Sequence, residues 1–157
     1  MARNRHSGFT YLTLLISIAI MGAVLASFGM MWSTAQQREN ERELLFVGGQ
    51  FRNAIAQYYL NSPGAIKKYP ASLEDLLKDN RQLATKRYLR KLFVDPLTRS
   101  NKWGLVKSAD GRIMGVFSLS EEQPLKTDNF PDINLRLKGK KKYSEWHFVY
   151  ARTITPR

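Results

Sequence analysis

Charged residues are missing from the chain between Arg5 and Arg38, and the stretch over 8–32, GFTYLTLLISIAIMGAVLASFGMMW, is apolar on every helical face. A bilayer core about 30 Å thick takes roughly 20 apolar residues in helix, so the pattern predicts a membrane-spanning helix. Polar residues begin at Ser33, yet the helical period continues. Leu44, Val47, Phe51, Ile55 and Tyr58 recur at three- and four-residue steps and mark one apolar stripe. Arg38 with Glu41, and Glu39 with Arg42, sit three apart on the other faces, where they can pair weakly. No proline interrupts the run from Phe9 to Leu60, and Asn61-Ser62-Pro63-Gly64 supplies the stop. Gly48-Gly49 predicts a bend.

A second, short helix is predicted after Tyr69-Pro70-Ala71. Ser72 caps it, Asp75 completes a variant of the capping box, and Leu73, Leu76 and Leu77 form its buried side. The period then changes from helix to strand. Residues 103–108 read as a first strand, Ala109-Asp110-Gly111 as a tight turn, and 112–119 as a second strand with Ile113, Phe117 and Leu119 on one face. Residues 120–134 read as a long loop. A third strand is predicted over 143–152, where Trp146, Phe148 and Tyr150 alternate with Glu145, His147 and Val149. The predicted fold is therefore α+β. A long N-terminal helix, half transmembrane and half amphipathic, packs through its 44–58 stripe on a small antiparallel sheet. Phe51, Ile55, Trp146 and Phe148 meet in that core.

Composition changes the picture in three ways. The chain of 157 residues has room for one modest domain beyond the anchor, and with no cysteine it must hold by packing. Arg3 and Arg5 precede the apolar run, while the segment after it balances Arg38, Arg42 and Arg52 against Glu39, Glu41 and Glu43. The positive-inside rule then predicts a single-pass inner-membrane protein with a cytoplasmic N-terminus and its C-terminal bulk across the membrane. The net charge of +12 suggests acidic partners. The densest cluster, Lys138, Lys140, Lys141 and Lys142, reads either as a solvated loop or as a nucleic-acid contact.

Catalysis has little support in the sequence. Outside the basic head, His147 is the only histidine, and there is neither a Gly-rich phosphate loop nor a metal-ligand spacing of His or Cys. The protein reads as a non-enzyme without a required cofactor. Glu121, Glu122, Asp128 and Asp132 form either a solvated acidic loop or a calcium site built from oxygen ligands.

One junction carries a sharper reading. Gly8-Phe9-Thr10-Tyr11-Leu12-Thr13 follows the basic head MARNRHSG and opens the apolar helix. It resembles the prepilin-peptidase site of type IV pilins and type II secretion pseudopilins. The resemblance implies a leader over 1–8, cleavage between Gly8 and Phe9, and methylation of the new amine. It further implies a transmembrane and filament-core helix over 9–32 and a periplasmic pilin-like domain over 33–157. Tyr69-Pro70, Asp95-Pro96 and Trp103-Gly104, the last pair displaced by an insertion over 97–102, resemble the major-pseudopilin branch, whose major subunit holds calcium in its C-terminal loop region. The implied partners are other pilins or pseudopilins, the prepilin peptidase and the inner-membrane secretion platform. The implied function is a filament subunit that helps export folded proteins. The alternatives are a nucleic-acid-binding minor pilin of a DNA-uptake system and an anchored domain with no filament role. The family pattern is roughly GFTLIE, and Thr13 stands where it has Glu. That departure implies a low-copy subunit that co-assembles with Glu-bearing partners.

Overall fold

The computed structural model describes residues 7–82 and 84–151, leaving aside the side-chain surroundings of 7, 8 and 26–31. Helix α1 runs over Ser7–Leu60. The chain divides into two compact units, Met1–Glu39 and Asn40–Arg157.

In the first unit the apolar side chains that are described, over 9–25, are all exposed. The expected transmembrane half, and with it the single-pass inner-membrane placement, is corrected here. Among the described residues no helix is long and apolar enough to cross a membrane. Thr10, Tyr11, Thr13 and Ser17 place hydroxyls along the apolar part of α1 and lower its apolarity.

The second unit forms because the amphipathic part of α1 has one face to bury. Leu44, Val47, Phe51, Ile55 and Tyr58 are all buried, as the stripe predicts, and share one cluster with Trp103, Ile113, Val116, Trp146 and Phe148. The Phe51 ring meets Trp103 edge-on, centroids 5.2 Å apart, and Trp146 takes Phe130 and Tyr143 edge-on at 5.4 and 5.2 Å. Such pairs add about 0.5–1.5 kcal/mol each beyond their area burial. Glu41, expected on an outer face, is buried and accepts the Lys126 amide hydrogen at 3.0 Å. The glycines that predict a bend have another role at Gly48. The helix continues through both, and a Cβ at Gly48 would lie 2.4 Å from the Phe148 ring. Phe148 packs directly on the helix backbone.

The sheet is antiparallel in the order β1 (Gly104–Lys107), β2 (Ile113–Phe117), β3 (Phe148–Val149). All three strands are shorter than predicted, and one face was misread. Gly104 pairs with Phe117, Leu105 with Val116 and Val106 with Gly115, but Lys107 pairs with Ile113. Met114 is therefore an extra residue, a bulge that inverts the alternation beyond it. Ile113, Val116 and Ser118 are buried, whereas Phe117 turns to the other side and Leu119 is 48% exposed. There the Phe117 ring covers Gly104, where a Cβ would lie 2.3 Å from it, and stacks on His147 at 4.9 Å.

Two further elements are 3-10 turns instead of the predicted helix and strand. Glu74–Leu76 replaces the short helix, and Ser72 makes no side-chain cap bond there. Half of the capping box survives, because the Asp75 carboxylate accepts the Ala71 and Ser72 amides at 2.9 and 3.1 Å. Leu76 is fully buried, while Leu73 and Leu77 pack partly against the core. Tyr143–Glu145 forms a 3-10 turn where the third strand was expected to begin. The predicted alternation still holds, with Trp146 and Phe148 buried and Glu145 and His147 exposed.

Gly48 and Gly49 separate packing from helix propensity. Alanine is favoured over glycine inside a helix by about 1 kcal/mol, and at Gly49 the nearest atom to an added Cβ is 4.0 Å away. Gly49→Ala is expected to raise the denaturation midpoint. Gly48→Ala must displace the Phe148 ring, and overpacking of this kind costs about 1–3 kcal/mol, so its midpoint should fall. Urea unfolding of the two variants checks the contrast.

Candidate functional site

The Gly8-Phe9 junction lies at the start of α1. Gly8 falls within that helix, and the basic head before Ser7 lies outside the described residues. Phe9 is 73% exposed. The Thr13 hydroxyl donates to the Phe9 carbonyl at 2.8 Å, and Ser17 donates to the Thr13 carbonyl at 2.9 Å. Thr13 thus satisfies its only polar group within its own helix and offers no charge to a neighbour.

The charged loops of the second unit are arranged as pairs. The Lys138 ammonium lies 2.9 Å from the Asp128 carboxylate, and Lys142 lies 2.6 Å from Glu121. Each lysine holds its carboxyl below the usual range by hydrogen bonding, and Glu121 in turn raises Lys142. Lys141 is exposed and Lys140 borders a groove described below. The four lysines are therefore not a continuous row of free cations. The calcium candidates are likewise dispersed over different roles. Glu121 and Asp128 face lysines, Glu122 accepts the Tyr143 amide through its backbone carbonyl, and Asp132 opens the 3-10 helix Asp132–Leu137. Among the described residues no group of three or more His, Asp or Glu side chains that could hold a metal ion occurs.

Two polar centres gave little sign of themselves in the sequence. Asp95 is fully buried and gathers the loop over 97–102 around itself. It accepts Leu97 N–H at 3.0 Å, the Thr98 hydroxyl at 2.9 Å and the Ser118 hydroxyl at 2.7 Å. The Trp103 indole N–H donates to the Phe93 carbonyl at 2.8 Å, which fixes the far end of the same loop. Asp95-Pro96 stood out only through the resemblance, and nothing in the spacing tells that its carboxylate is buried.

The second centre closes the C-terminus of α1. Arg81 forms a fork to Asp79, with Nε and Nη2 each 2.8 Å from a carboxylate oxygen. It also donates to the Tyr58 carbonyl at 2.9 Å and the Ser62 hydroxyl at 2.8 Å, and its guanidinium carbon lies 3.5 Å above the Tyr58 ring. A cation on the last carbonyls complements the helix dipole. Arg81 holds the Asp79 carboxyl below its ordinary range, chiefly by hydrogen bonding, while burial raises the Tyr58 and Tyr88 phenols. The Arg81 signal was a lone cation in a loop, and no periodicity marks such a residue.

A carboxyl lowered on folding stabilises the fold above its unfolded pKa and loses that contribution as pH falls towards the folded value. Asp79 therefore contributes fully above about pH 4. Replacing it with Asn should cost about 2 kcal/mol near neutrality, in the range of a hydrogen bond to a charged group. The gap between native and Asp79→Asn midpoints, followed from pH 6 to 2.5, should narrow only below about pH 4. A gap that stays constant across that range shows that the carboxylate charge is not what Arg81 needs.

No family model, no curated protein and no solved structure matches the chain.

Proposed function

We propose that this chain is a pseudopilin-like subunit that joins a type II secretion-type filament through the apolar part of α1 that begins at Phe9 and serves the export of folded proteins. The observation that supports this reading is the uncovered apolar helix. Phe9, Met21 and Leu25 are 73%, 66% and 65% exposed, and Leu12, Ile16 and Ile18 are each more than half exposed. A contiguous apolar surface of this kind marks an interaction site. Each large aliphatic or aromatic side chain that is covered contributes about 1.5–3 kcal/mol. Helices of neighbouring subunits, apolar all round in the same way, are the natural cover.

Thr13 sets the stoichiometry within this proposal. With its hydroxyl bonded to Phe9, it contributes no carboxylate that pairs with the amine of the next subunit. The Phe9 amine, once freed, still pairs with a glutamate on another kind of subunit. Such one-sided pairing suits a low-copy member of a mixed filament. The nucleic-acid alternative gains no support from its proposed lysines, since Lys138 and Lys142 are each committed to a carboxylate.

The junction gives the direct test. Mass spectrometry of the chain from cells with an active prepilin peptidase should find Phe9 as the N-terminus. Gly8→Val should leave the leader attached, because a branched side chain replaces the smallest one at the scissile bond. An intact leader on the unaltered chain contradicts the proposal.

A further inference from the structure

A groove of about 600 Å³ opens in the second unit between the amphipathic part of α1, the 3-10 helix Asp132–Leu137 and the segment around β3. That volume falls in the range of about 300–1,000 Å³ that holds ligands elsewhere. Its charged lining consists of Arg52, Arg136 and Lys140 against Asp132 and Glu145, with His147 beside them. The Glu145 carboxylate already accepts the Lys141 amide at 3.0 Å. Three cations face two carboxylates, so the balance is cationic.

Arg52 is the unusual member. Its Nη1 donates to the Ile133 carbonyl at 3.0 Å and to the Asn134 side-chain oxygen at 2.7 Å, both neutral acceptors. Its Nε is buried and has no partner among the described residues. No carboxylate lies within ion-pair distance of it there, and burial alone lowers its pKa. A half-buried guanidinium in this state has paid its desolvation without gaining an anion, and a fork of this kind matches a carboxylate.

The strand beside it is also incomplete. Among the described residues β3 lies at the edge of the sheet, paired only with β2. The Tyr150 amide donates to the Met114 carbonyl at 2.9 Å, so that amide points towards β2, while the Tyr150 carbonyl accepts the Tyr69 hydroxyl at 3.1 Å. In an antiparallel ladder the groups of successive residues alternate in direction. The amide and carbonyl of Val149, which lines the groove, therefore point to the open edge. Unpaired edge groups are a template for an added strand.

We infer that this groove binds an extended acidic segment of a partner protein, which adds to the open edge of β3 and places a carboxylate against Arg52. The backbone of Val149 supplies the extended geometry, and Arg52, Arg136 and Lys140 supply the preference for acid. The site lies wholly within the second unit and does not depend on the proposed assembly role of the apolar part of α1.

The test uses the full chain and a fluorescent blocked peptide, Glu-Val-Glu-Val-Glu, followed by anisotropy. Saturable binding is expected, at least tenfold tighter than that of the Gln-Val-Gln-Val-Gln peptide and weakened by salt. Arg52→Gln should weaken it about tenfold. Lys140→Gln, at an exposed position, should weaken it less without affecting thermal unfolding, which keeps the test informative if Arg52→Gln folds poorly. Val149→Pro, which removes the outward amide, should also weaken binding. Equal affinity for the Gln peptide overturns the inference. So does competition by free glutamate at the peptide's own concentration, which would indicate a site for a lone carboxylate. Absence of binding at millimolar peptide overturns it as well.

Discussion

The Phe148 ring lying on the bare backbone of Gly48 is the contact on which the second unit depends. It brings the edge of a short sheet against a helix at a distance no other residue at Gly48 permits. Once that approach is set, Phe51 meets Trp103, and Ile113 and Val116 close over the stripe. The bulge at Met114 follows from the same demand, because a strand of strict alternation cannot turn both Ile113 and Val116 inward. Sheet and helix are each too short of apolar surface to stand alone, and each completes the other's core.

Polar groups then hold the loops where the core ends. Arg81 ties the last turn of α1 to the loop that follows through Asp79, Tyr58 and Ser62. Asp95 does the same for the loop before β1, and Glu41 for the amide of Lys126. These are carboxylates and a guanidinium used as local hydrogen-bond hubs, which satisfy backbone groups that neither helix nor sheet reaches. The loop lysines and acids pair across the surface at Lys138–Asp128 and Lys142–Glu121. Exposed pairs of that kind contribute little stability. Their consequence is to remove the appearance of a free cationic row.

The parts of this fold that were legible in the sequence are the parts governed by period. The stripe from Leu44 to Tyr58, the stop at Asn61, and the alternation of Trp146, Glu145, Phe148 and His147 all read correctly from spacing. The misreadings fall where one residue breaks a period or where a long-range partner decides. Met114 inverts a face, so Phe117 moves from the core side to His147. Gly48 looks like a hinge until the ring that needs its missing side chain is known. Ser72 looks like a cap, yet Asp75 makes the bonds. Of the candidate sites, the apolar stretch opening at Phe9 was visible at once. The groove at Arg52 was not, because that residue read only as one more charge in the balance after the apolar run. Apolarity alone also predicted a membrane span, which no described helix is long and apolar enough to make.

The proposed assembly role belongs to the apolar part of α1 that begins at Phe9, while the unit Asn40–Arg157 carries its own core. Sedimentation of the full chain beside a version beginning at Asn40 tests it in one measurement. The account predicts that the full chain associates and the shortened one sediments as a folded monomer. Association of the shortened chain to the same extent as the full one contradicts it.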